Sequence, residues 1–316
     1  MKPAYILCLM LLSLSAHSQK IEKFYNYRWD PVEPNEARFY SLITKTDSGW
    51  RRLDYYIHER SLQMEGLFED SACKIRSGNF YFFHPNHNLS EFGRYQHGKK
   101  EGRWIFLYDD GLLEDSATYH DGNLVGTHLK WFHNGYPAES AVYQEDGSGV
   151  EISWFDNGNP SSAGRYAAGY KQNGTWQYFH KNGKLSALEK YDAGRLLSRN
   201  YFDEQGIEIK DSGSPDRKAA FPGGPEAWIR FLGRKLYFPS QYKFSNGDQA
   251  VVVIEAEVDE SGKVQNVKVS TPFYPAFDQI ALRTVQSSPD WIPAVEHNRN
   301  VKYRFSQPVI FSLPGQ

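Results

Sequence analysis

Polar and apolar positions alternate along this chain with a fixed long-range period. From residue 95 a tyrosine recurs every 23 to 25 residues, at Tyr95, Tyr119, Tyr143, Tyr166 and Tyr191, and a glycine follows each three or four residues later. A second series interleaves with the first: an aromatic, a short polar run and a glycine. It reads Tyr108-Asp109-Asp110-Gly111, Phe132-His133-Asn134-Gly135 and Phe155-Asp156-Asn157-Gly158, and recurs over 179–183 and 202–206. Asn-Gly and Asp-Gly reach the positive φ of tight hairpin turns. The segments between turns are rich in Trp, Tyr, Phe and Thr, which suit pleated strands. Over 102–108 and 174–179 the aromatics alternate and so share one strand face, whereas Leu129 with Trp131, and Ile152 with Trp154, sit one position off. The pattern predicts β-hairpins stacked in chain order into an antiparallel meander, each unit stabilised by its neighbours.

The pattern frays at both ends. Segments 37–46, 50–58 and 61–68 read as strands, and Met64-Glu65-Gly66-x-Phe68 is a degenerate copy of the tyrosine step. The array is expected over 37–206, after an irregular lead-in at 19–36 that contains Pro31 and Pro34. Residues 207–220 include Asp211-Ser212-Gly213-Ser214-Pro215-Asp216 and read as a linker. From 221 to 316 the pattern changes. A helix is expected at 225–232, then a β-branched strand at 250–258, a turn at 259–263 and a returning strand at 264–270. A second helix at 276–286 places Phe277, Ile280, Ala281 and Val285 on one side. The last strand, 301–313, is interrupted by Pro308, which marks an edge or a bulge. The expected fold class is mainly β with a small α+β domain.

Two resemblances sharpen this. Gly93-Arg94-Tyr95-x-x-Gly98-Lys99-Lys100-x-Gly102-x-Trp104, repeated as Gly164-Arg165-Tyr166-x-x-Gly169-x-Lys171-x-x-Gly174-x-Trp176, resembles the MORN-type repeat of bacterial YwqK-like proteins, over roughly residues 60–206. Such repeats imply a scaffold, with no fixed ligand. Phe221-Pro222-Gly223-Gly224, Phe231-Leu232, Phe238-Pro239, Asp259-x-x-Gly262-Lys263-Val264, Asp278-x-x-Ala281-Leu282, Pro289-x-Trp291-x-Pro293 and Pro308-Val309-x-Phe311 follow in order. That series is similar to the TonB C-terminal domain in its Bacteroidetes-like form. Phe238 stands where the family has tyrosine, the glycine before the first strand is displaced to Gly247, and Ala294 replaces a glycine. The resemblance implies a helix–β-hairpin–helix–strand fold that takes an extended receptor peptide by strand addition. It points to Phe238, Pro239, Val301, Tyr303, Phe305, Val309 and Phe311 as the partner-docking residues. The implied partner is a protein, with an outer-membrane TonB-dependent receptor as the specific candidate.

Composition narrows the setting. Met1-Lys2, an apolar run to Leu14 and Ala16-His17-Ser18 read as a secretory signal over 1–18, cut near Ser18/Gln19. The run is short of the about 20 apolar residues that span a bilayer. The expectation is therefore an exported periplasmic or envelope protein, peripheral to the membrane at most. The formal net charge is −2, with no basic stripe to bind nucleic acid. Cleavage would leave Cys73 as the lone cysteine, which excludes a disulfide within the chain.

No nucleophile elbow, His-Glu-x-x-His or phosphate loop is present. His84 and His87 flank Pro85-Asn86 without a third ligand nearby in sequence. His128, His133, His180 and His297 read as surface positions, and the turn aspartates as backbone chemistry. The expectation is a non-enzymatic interaction protein with no catalytic, cofactor or metal site. Two other readings stay open: a TonB-type energy-transducer component of transmembrane transport, and an envelope glycan-binding or glycan-acting protein.

Overall fold

The computed structural model describes residues 20–210, 216–243 and 250–311; the signal reading over 1–18 lies outside them. Sixteen strands, β1 (Lys20–Tyr25) through β16 (Glu208–Ile209), form one antiparallel sheet in which each strand pairs with its neighbours in sequence. The meander read from the turn spacing is the fold, and it is consistent with a repeat. It begins earlier than expected: β1 lies inside the stretch read as irregular and pairs with Phe39–Thr46, Lys20 opposite Thr44 and Tyr25 opposite Phe39. It also ends later, since β16 falls inside the stretch read as a linker.

Both turn series are tied across repeats. The Gly98 N–H donates to Arg76 O one hairpin back (2.8 Å), and His97-Gly98 takes φ 48 and 82, the paired positive φ of a type I′ turn. On the other edge the turn asparagines donate to the next turn: Asn134 Nδ2 to Asp156 O (2.7 Å), Asn157 Nδ2 to Lys181 O (3.0 Å) and Asn182 Nδ2 to Glu204 O (2.9 Å). Asparagine there both shapes its own turn and bonds to its neighbour.

The interior row of the ribbon rests on a size match between adjacent strands. Gly93 lies beneath the Trp104 indole, and Gly164 beneath Trp176, so closely that a Cβ at either glycine would overlap the ring. Trp104 Nε1 donates to Arg94 O (3.1 Å) and Trp176 Nε1 to Arg165 O (2.9 Å), the same bond three repeats apart. Gly66 stands under Phe80 in the same way. In the middle repeats the partners change together. Ala117 and Ala141 replace the glycines, and His128 and Glu151 replace the aromatics. In the last repeat the pair is Glu189 and Arg199, an ion pair at 2.7 Å.

The middle is therefore a buried polar core. His128 sits between Asp115 (Nε2 to Oδ1, 3.1 Å) and Glu139 (Nδ1 to Oε1, 3.0 Å), and Lys130 Nζ reaches Glu139 Oε2 at 2.9 Å. Tyr143 and Tyr166 both donate to Glu151 Oε2 at 3.0 Å. Burial would lower the imidazole, but its bonds to Asp115 and Glu139 raise it to about 9.

The C-terminal part is a small α+β unit. Helix α1 (Gly224–Lys235) and helix α2 (Pro275–Gln286) cover a three-stranded sheet of β17 (Ala250–Val258), β18 (Val264–Thr271) and β21 (Tyr303–Phe311) in the order β18-β17-β21. Trp228, Phe231, Ile254, Phe277, Val309 and Phe311 fill its core. A further hairpin, β19 (Ala294–Glu296) with β20 (Arg299–Val301), turns at His297-Asn298, both at positive φ. Val301 belongs to this hairpin, opposite Ala294, rather than to the last strand.

Candidate functional site

Strand β21 pairs along its whole length with β17, from Tyr303 opposite Val258 to Phe311 opposite Ala250, without a break at Pro308. Proline is thus explained by an edge and not by a bulge. Among the described residues no strand pairs with its other side. The alternation puts Arg304, Ser306, Pro308 and Ile310 outward and turns Phe305, Val309 and Phe311 to the core.

The residues expected to dock a partner are placed unevenly. Val309 and Phe311 are buried core residues, and Phe305 stacks on Trp291 with ring centroids 4.9 Å apart. Phe238 meets Phe277 edge-on at 5.2 Å, and Phe277 meets Phe311 at 5.0 Å, so one ring links the Phe238 corner to the last strand. Phe238 and buried Pro239 also border a groove of about 700 Å3 beside Gln279 and Arg283 of α2. The outward row of β21, which carries Ser306 and Ile310, was not singled out from the sequence; strict alternation from the core residues Val309 and Phe311 would have found it.

The start of β21 and the hairpin before it lie against the repeat ribbon. The His297 imidazole stacks on Tyr178 and its Nδ1 sits 3.1 Å from Glu189 Oε2. Arg299 is buried: Nη1 donates to Ser161 O and to Phe179 O (2.8 Å), and the guanidinium lies over the Phe155 and Tyr178 rings. Burial brings it down to about 10, still a cation at neutral pH. Lys302 Nζ reaches Asp156 Oδ2 (2.9 Å) over the Phe132 ring, and Arg304 reaches Glu114 (3.2 Å) and Glu257 (2.6 Å). Burial opposes ionisation of Asp156, yet Lys302 and Lys181 hold its carboxyl below the usual range. Farther along, Arg38 sits over the Phe273 ring at 3.7 Å and His58 packs on Tyr274 at 4.0 Å. Burial, then Arg38, pull His58 down to about 4, so it packs uncharged.

The histidines correct one expectation. His128 and His180 are buried, not surface residues. His180 Nε2 lies 2.9 Å from Phe202 O and His84 Nε2 lies 3.0 Å from Leu107 O, each a rung to the next repeat. Among the described residues no group of three His, Cys, Asp or Glu could hold a metal ion, and no helix is long and apolar enough to cross a membrane.

Residues 235–313 match the family model described as Gram-negative bacterial TonB protein C-terminal. The matched segment takes in the Phe238 corner, the β17–β18 hairpin, α2 and β21, and starts at the last residue of α1. No curated protein matches the chain. The family match supports a TonB-like envelope or transport-related role, a protein partner and an interaction rather than an enzymatic module.

Proposed function

We propose that this is an exported, non-enzymatic interaction protein of the cell envelope. Its MORN-like ribbon is a scaffold, and its TonB-like unit takes an extended peptide of an outer-membrane receptor by strand addition along β21. The observation that carries this is the one-sided pairing of β21. An edge strand presents a row of backbone donors and acceptors that a peptide can pair with, while its outward side chains select the sequence. Ser306 and Ile310 lie beyond the part of β21 that Arg304 anchors to the ribbon, and Ile310 is 45% exposed.

The test is photo-crosslinking in intact cells, with the full chain carrying a photoreactive residue at Ser306 or Ile310 and, as control, at the exposed ribbon residue Val150. Adducts with an outer-membrane protein at the first two positions and not the third are expected. Equal labelling at all three, or none at 306 and 310, rejects strand addition at this edge.

A further inference from the structure

The first third of the ribbon holds a cleft remote in sequence from the docking edge. It encloses about 610 Å3, within the size range of small-molecule sites, and lies where β1, Gly49–Tyr56, Ser61–Phe68 and Arg76–Phe83 come together. Tyr25, Trp29, Phe68 and Phe82 supply aromatic walls.

Its charge is one-sided. Three cations line it, Arg52, Lys74 and Arg76, against one carboxylate, Asp54. Asp54 is committed to Arg52 (Oδ1 to Nε, 2.8 Å) and to the Ser41 hydroxyl. Arg76 donates from Nη1 to the Tyr95 hydroxyl (2.7 Å) and lies over the Phe80, Phe82 and Tyr95 rings, 5.0–5.7 Å from their centroids. Among the described residues no carboxylate is within ion-pair distance of Arg76 or Lys74. Rings that hold a guanidinium by its flat face leave its N–H edge to a planar anion.

The backbone around the cleft is also set against its preferences. Trp29 and Cys73, both lining residues, hold φ 65 and 56, where a side chain with a Cβ is disfavoured. Asn26 fixes the first of these turns, its Oδ1 accepting the N–H groups of Arg28 (2.8 Å) and Asp30 (3.1 Å); Asp70 fixes the second, accepting from Lys74 (3.0 Å) and Ile75 (2.8 Å). Strained positions held by surrounding bonds gather at ligand clamps.

The geometry points to a binding site for a small anion with a ring body: a carboxylate or phosphate group held by Arg76 and Lys74, with its ring against Trp29 and Phe82. The ribbon is then a receptor in its own right at its N-terminal end, separate from the peptide edge.

The full chain is titrated calorimetrically with 4-phenylbutyrate, phenyl phosphate, the uncharged 4-phenyl-1-butanol and inorganic phosphate. The two ring-bearing anions are expected to bind at least tenfold more tightly than the alcohol, and phenyl phosphate more tightly than phosphate alone. Which of the two anions is preferred identifies the acid group. Lys74→Gln should weaken both three- to tenfold at unchanged thermal stability, and Arg76→Lys, which keeps the charge, should weaken them by losing the planar fork. Iodoacetamide alkylation of Cys73, read on its peptide, should slow when the anion is bound. Equal affinity for alcohol and anions, absence of binding by every probe, or binding that neither protects Cys73 nor responds to Lys74→Gln overturns the assignment.

Discussion

The His297 imidazole lies flat on the Tyr178 ring, with centroids 3.6 Å apart and planes 6° apart. It is the first of four side chains, His297, Arg299, Lys302 and Arg304, that meet successively earlier repeats, at Tyr178/Glu189, Phe155/Phe179, Phe132/Asp156 and Glu114. The step is two or three residues. Extended chain rises about 3.3 Å per residue, so a step covers about 7–10 Å, while a two-strand repeat advances about 9.6 Å. From Arg299 to Arg304 the chain therefore roughly keeps pace with the ribbon, while His297, in the turn that precedes this run, meets the last of these repeats. This match of periods explains how a small α+β unit docks along many hairpins.

Arg299→Met should test how firmly the two parts are joined. Methionine retains bulk but leaves the Ser161 and Phe179 carbonyls without their donor. Losing charge-assisted bonds at a buried site costs about 2–3 kcal/mol. Denaturant unfolding of the variant should show earlier loss of the C-terminal signal and two separated transitions. A single unshifted transition would mean that this contact does not couple the parts.

Gly93→Ala and Gly164→Ala should each destabilise the ribbon by about 3 kcal/mol, because the added methyl group drives into an indole that close neighbours hold in place. Ala141→Gly, in a middle repeat where Glu151 replaces the indole, should cost about 1–2 kcal/mol, the backbone entropy of glycine together with one buried methyl group. Denaturation midpoints of the three variants give the comparison. Similar losses in all three would show that the close approach is not what selects glycine.

That substitution pattern was written in the sequence, although the tyrosine–glycine spacing concealed it. Turn chemistry is local, so the hairpins and most strand ends could be read directly. The pairs Gly93/Trp104, Ala117/His128, Ala141/Glu151 and Gly164/Trp176 lie on adjacent strands and become visible only when repeats are laid over one another. β1 was hidden because Lys20-Ile21-Glu22-Lys23-Phe24-Tyr25 carries few β-branched residues and precedes two prolines. The β19–β20 hairpin was hidden because three-residue strands leave no period to detect. Arg299 had no local signal at all: its burial comes from carbonyls 120 and 138 residues away.

The polar core makes stability depend on pH from a defined group. The His128 imidazole ionises at about 9 in the fold against 6.5 when free. A raised histidine stabilises fully below 6.5, and the contribution fades as pH rises through 9. Stability should therefore fall between pH 6.5 and 9, and His128→Gln should remove most of that slope. Glu139, held near 2 despite burial by His128 and Lys130, acts in the opposite window, losing its contribution as pH falls from 4.5 toward 2. Denaturant midpoints across pH 2–10 read both limbs. A His128→Gln profile parallel to wild type above pH 6.5 would reject the ion-pair account.

Asp278 acts in the opposite sense from Glu139. It lies in the first turn of α2, 9% exposed, with Oδ1 accepting the Phe273 N–H at 2.7 Å. Burial, and then the carboxylate of Glu59, push it up to about 7, while that N–H and Arg38 pull it down. The folded chain then holds a proton here that the unfolded chain releases near 3.8, so stability falls as pH rises from about 4 to 7 and stays lower above it. Asparagine keeps the acceptor and cannot ionise. Asp278→Asn should thus be nearly neutral at pH 4.5 and stabilising at pH 8, by on the order of 2–4 kcal/mol at 1.36 kcal/mol per pH unit. Paired unfolding curves at the two pH values decide it. An equal effect at both would mean that the carboxylate is already accommodated as an anion between Arg38 and the start of the helix.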